Sequence, residues 1–189
     1  MPNALVSAAR VEEEVKKALG KSLRKDPSAV AMDASIIGRL GGTSLDFLDV
    51  TFRLEQAFGI RMAHQVLLDH VEESYGEGKA IDASGCLTAP AVELLKMRLG
   101  DHPALAPGMY ADEVPALVTP GTLAQGVSEI LAQLPAACTH CKASAWKSED
   151  GAKVVCGACG KPAVYPDGDT LMKRWLEGVE REKKLFAAA

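Results

Sequence analysis

The chain has 189 residues, 48% hydrophobic and 24% charged, with a net charge of −4. That length suits one medium domain, or a small domain with appendages, and the apolar content supports a real core rather than a disordered chain. The negative charge excludes a nucleic-acid binder relying on a basic surface. No apolar run reaches the roughly 20 residues that span a bilayer, so no membrane insertion is expected.

The N-terminus lacks the basic-then-apolar order of a signal peptide, and the expected location is cytoplasmic. A first helix is predicted over 4–19, where Val6, Val11, Val15 and Leu19 recur at helical spacing and Gly20 reads as a stop. A long loop follows over 20–43, with Pro27 and the apolar knot "SIIGRL" to pin it to a core. The second helix is the best defined. Leu45, Leu48 and Phe52 form one apolar stripe, Phe47, Leu54 and Phe58 an adjacent one, and Asp46, Asp49, Arg53 and Gln56 a polar one; Gly59 ends it.

Residues 61–107 read as an inserted region. "RMAHQVLLDHVEESYG" has helical character, and "GKAIDASGCLT" is turn-rich. "TAPAVELLKMRLG" carries a hydroxyl cap near a proline and stops at Gly100. "DHPALAPG" is a proline-broken connector, "MYADEVPAL" a short helical turn, and "TPGTLAQGVSEILAQL" a fuller helix with Leu123, Val127, Ile130 and Leu131 at core spacing. The tail from Thr170 to Phe186 can form an amphipathic helix bearing Leu171, Trp175, Val179 and Phe186. His64 and His70 are six apart and so on different helix faces, which argues against a metal or acid–base site with Asp69. Cys86 reads as a small buried hydrophobe.

The stretch "RLGGTSLDFLDVTFRLEQAFGI" carries the main functional question. Thr43 followed three residues later by Asp46 fits a capping box, which accounts for Thr43. It leaves Ser44 at the first helical position, beside a flexible glycine pair. The alternative is that Ser44 is where a group is attached.

The segment resembles the acyl carrier proteins, whose modification site reads Leu-Gly-x-Asp-Ser-Leu-Asp ahead of a helix ending in Leu-Glu-x-x-Phe-x-Ile. This chain has Leu40, Gly41, Gly42, Thr43, Ser44, Leu45 and Asp46, then Leu54, Glu55, Phe58 and Ile60. The resemblance extends upstream through "VEEEVKKALGKSL" and "VAMDASIIGRLGG", and resumes at "MYADEVPALVTPGTLAQGVSEILAQL", similar to the short third and final fourth helices of the family. It implies that Ser44 carries 4′-phosphopantetheine through a phosphodiester, with acyl groups riding on the terminal thiol. It further implies a phosphopantetheinyl transferase and acyl-processing enzymes (synthases and acyltransferases) as partners, and a carrier rather than an enzyme, with no catalytic residue of its own. The glycines and the positive helix N-terminus suit such a phosphate.

Two departures stand out. Thr43 replaces the usual Asp, which makes "GGTSL" closer to peptidyl carrier domains. Asp46, Asp49 and Glu55 keep some of the acidic docking face, but Arg53 interrupts it. Dedicated partners of specialised fatty-acid, lipid or polyketide biosynthesis are therefore expected to dock on Asp46, Asp49, Arg53 and Glu55.

Cys138, Cys141, Cys156 and Cys159 form two C-x-x-C pairs within 22 residues. The intervening "SAWKSEDGAKVV" reads as two short strands around a Glu-Asp-Gly turn. Four thiolates so spaced suit a structural zinc ribbon, with iron or a redox dithiol as alternatives. Neither pair opens a helix after a strand, as a redox pair would.

The expected architecture is mostly α. A four-helix acyl-carrier bundle comprises 1–60 and 108–135, a helical insertion 61–107, a four-cysteine zinc ribbon 136–166, and a C-terminal helix 167–189. The ribbon is expected to be separable from the bundle and folded by its metal. A rival reading from another class is a zinc-ribbon adaptor whose helical bundle is only a docking scaffold and whose Ser44 is a cap.

Overall fold

The computed structural model describes residues 5–186. The described chain is mostly helical, with one two-stranded sheet beside a four-cysteine cluster. It folds as two compact units. One comprises Met1–Met62 and Thr119–Gly168, the other Ala63–Val118 and Asp169–Ala189.

In the first unit α1 spans Ala8–Leu23, capped by Ser7, whose hydroxyl accepts from Arg10 N at 3.2 Å. It buries Val11, Val15, Ala18 and Leu19. Gly20 does not stop it. The helix runs on to Leu23 and ends at Arg24, which is left-handed at φ 54°. Gly20 is instead a point of close approach, where a Cβ would lie 2.9 Å from both Lys25 O and Pro27 Cγ.

The loop over 24–43 is pinned by buried Val30, Ala34, Ile36 and Leu40. It leads into α2, Ser44–Phe58, which ends at left-handed Gly59. The next helix of this unit is Pro120–Leu131, and it buries Leu123, Val127, Ile130 and Leu131 as the spacing predicts. α1 packs against both of these helices. The strands β1, Trp146–Ser148, and β2, Val154–Cys156, pair antiparallel with Trp146 opposite Cys156. The expected hairpin forms, and it falls in the same compact unit as these helices.

The second unit has its own core. Its first helix, α3, spans Leu67–Tyr75 and its second, α4, Ala89–Leu99. Counting in chain order, Pro120–Leu131 is then α5. Thr88 caps α4 and Gly100 ends it, as expected. The segment "RMAHQV" is not helical: the Asp169 carboxylate accepts from His64 N and Gln65 N and holds it in place.

The short third helix is a 3-10 segment, Ala111–Leu117, and contacts group it with this unit rather than with α1, α2 and α5. The terminal helix α6, Gly168–Lys183, joins the same core through Leu176 and Met172, followed by Phe186, whose ring stacks on Tyr75 at 5.7 Å. Insertion and tail thus share one hydrophobic interior. Among the described residues no helix is long and apolar enough to cross a membrane.

Candidate functional sites

Three short-range effects build the entry to α2. Gly41 takes φ 73°, which favours glycine, and Gly42 lies where a Cβ would meet Ile36 O at 3.0 Å. Thr43 is extended and caps the helix. Its Oγ1 accepts from Asp46 N at 3.3 Å and donates to Asp46 Oδ2 at 2.6 Å, while Thr43 N donates to the same oxygen at 2.8 Å. This is the capping box read from the sequence. Ser44 therefore sits at the first helical position, exposed, with its hydroxyl free of the capping role that Thr43 fills.

The four polar residues expected to dock partners are all engaged locally. Asp46 is held in the capping box, and the Thr43 hydroxyl lowers its pKa. Asp49 accepts from Arg53 Nε at 2.8 Å and from the Ser22 hydroxyl on α1; Arg53 first, then Ser22, holds its carboxyl below the usual range. Glu55 accepts from Met62 N at 2.8 Å. α2 also offers an apolar stripe to solvent. Leu45 is 77% exposed, and Leu48 and Phe52 are each 58% exposed. Val50, Leu54 and Phe58 face the core instead. The helix carries two apolar stripes, and only one of them is buried.

The four cysteines converge. Their Sγ atoms all lie within 4.8 Å of one another, with Cys138 to Cys159 at 3.8 Å and Cys141 to Cys156 at 3.5 Å. Tetrahedral thiolates about 2.3 Å from a zinc ion would be separated by about 3.8 Å, so the donor set fits.

Two like turns present the sulfurs. Cys138 N donates to Ala143 O and Lys142 N to Cys138 O, while Cys156 N donates to Lys161 O and Gly160 N to Cys156 O. Lys142 and Gly160 occupy corresponding left-handed positions, at φ 64° and 70°. Backbone N–H groups of Cys141 and His140 lower the pKa of Cys138, and those of Cys159 and Ala158 bring Cys156 down to about 7. The Ala143 N–H also favours the Cys141 thiolate, but the neighbouring Cys159 and Cys156 sulfurs push that thiol up to about 12. A cation at the centre would relieve this crowding of charge. His140 is an exposed residue of the first turn and not a fifth ligand in the cluster.

The remaining candidates do not assemble into a site with these residues. His70 is fully buried in α3, its Nε2 3.4 Å from Asp169 Oδ1, whereas His64 is exposed on the preceding segment. Cys86 is half-buried, in a loop paired with Tyr110.

The family model described as "Phosphopantetheine attachment site" matches residues 13–71. The match begins inside α1, takes in the long loop and α2, and ends inside α3, leaving the cysteine cluster outside it. No curated protein and no solved structure matches the chain. A carrier segment of this kind works with a phosphopantetheinyl transferase and with acyl-processing enzymes in general, and 4′-phosphopantetheine is its cofactor. Residues 13–71 are thus similar to the phosphopantetheine attachment-site family, and outside that segment the chain brings together four cysteines that could hold zinc.

Proposed function

We propose that Ser44 is the attachment point of 4′-phosphopantetheine and that the chain holds acyl intermediates as thioesters on its terminal thiol. The observation that carries this is the division of labour at the helix start. Thr43 satisfies the cap, while Ser44 stands exposed at the first helical position behind Gly41 and Gly42. A phosphodiester on its oxygen would lie at a positive helix end. The chain serves partner enzymes of specialised fatty-acid, lipid or polyketide biosynthesis.

Partner docking would rest on exposed Leu45, Leu48 and Phe52 as much as on Asp46, Asp49, Arg53 and Glu55, whose side chains are engaged within the fold. Cys138, Cys141, Cys156 and Cys159 would hold a structural zinc ion, all four coordination positions being filled by protein. Reduced, metal-ready thiols suit a cytoplasmic location. The test is intact mass after co-expression with a broad phosphopantetheinyl transferase. Wild type should gain one phosphopantetheine unit and Ser44→Ala none. An unmodified wild type would favour the adaptor reading instead.

A further inference from the structure

The cysteine module belongs to the same compact unit as α1, α2 and α5, and three observations bear on how it is held there. Trp146 Nε1 donates to Pro135 O at 2.8 Å, folding β1 back on the chain that leaves α5. The hairpin tip lies close to α1: a Cβ added at Gly151 would lie 4.0 Å from Arg10 Cγ. Arg10 is itself held by Glu13 and Glu14 at 3.1 and 2.9 Å. Beyond the module, Gly168 N donates to Arg61 O at 2.9 Å, just past the end of α2. α1 then links the two sites. Arg10 near its N-terminal end lies beside the hairpin, and Ser22 near its C-terminal end donates to Asp49 on the helix that begins with Ser44.

The hairpin has little apolar interior besides its cysteines, chiefly Ala152, Val154 and Ala163. Such a segment draws most of its order from the metal. We propose that metal bound by the four cysteines orders the carrier bundle as well as the hairpin, so that losing the ion loosens α1 and α2 around Ser44. This rests on the reading of the cysteines as a zinc site. The proposed route runs from the hairpin tip beside Arg10, along α1, to the Ser22–Asp49 hydrogen bond, and it is reciprocal: loosening α1 weakens the hold on zinc.

The test uses the full chain loaded with zinc. Metal content is counted, and amide hydrogen exchange in α1 and α2 is followed before and after chelation. One zinc per chain is expected, with exchange in both helices about tenfold faster once it is removed and restored when zinc is added back. Arg10→Ala should still bind zinc, but chelation should then speed exchange in α1 and α2 by less than about threefold, because the side chain beside the hairpin tip is gone. A chain that binds no zinc overturns the metal reading and this coupling together. A chain that binds one zinc, and whose α1 and α2 exchange is unmoved by its removal, overturns the coupling alone. A full effect in Arg10→Ala overturns the route through Arg10.

Discussion

Replacing Thr43 with alanine separates the cap from the attachment site. In the wild type Thr43 Oγ1 accepts from Asp46 N at 3.3 Å and donates to Asp46 Oδ2 at 2.6 Å, while the Thr43 N donation at 2.8 Å does not involve the side chain. Alanine removes the first two contacts and keeps the third. Losing a threonine cap costs about 1 kcal/mol. The hydroxyl–carboxylate bond adds little to that figure, because both groups are exposed. For a unit of this size the melting temperature should fall by about 4 °C.

The first turn of α2 should fray about fivefold more often, and transferase turnover should slow by no more than that. Thermal unfolding and a time course of intact mass with a transferase measure both quantities. Thr43→Ala should still be converted completely. A folded Thr43→Ala chain of normal helicity that stays unmodified would refute the reasoning, because Thr43 rather than Ser44 would then be the group the enzyme uses or reads.

Two further outcomes concern the surface of α2. Leu48→Glu and Phe52→Glu should each lower transferase kcat/KM by about tenfold or more while leaving the melting temperature unchanged, as for exposed anchors at an interface; unchanged transfer would return docking to the charged residues. Asp46 and Asp49 have folded pKa values below their ordinary range, through Thr43 and Arg53 respectively. A depressed carboxyl adds stability that is present above its unfolded pKa and lost as pH falls through the folded one, so thermal stability should decline as pH drops below about 4. Asp49→Asn should flatten that decline, and an identical acid profile in the variant would contradict it.

Local chemistry carried much of the site into the sequence. The capping box, the glycine turn and the Gly59 stop each depend on residues within a few positions of one another, the four cysteines lie within 22, and the structure keeps them all. What periodicity could not decide was which face of α2 turns inward, because Leu45, Leu48 and Phe52 repeat at the same spacing as the buried residues. Gly20 reads as a stop until Pro27 is seen crossing over it. The non-helical course of His64 and Gln65 is set by Asp169, about a hundred positions away. The tail's membership in the insertion's core is likewise a long-range fact, carried by Leu176 and Phe186.

The most direct measurement is to locate the modification itself. Protein from co-expression with a transferase should be digested and the modified peptide fragmented, so that neighbouring hydroxyls are distinguished. Phosphopantetheine is expected on Ser44, able to carry an acyl group that hydroxylamine releases as a thioester would. Phosphopantetheine on Thr43 or elsewhere, or a chain that a competent transferase leaves bare, would contradict it.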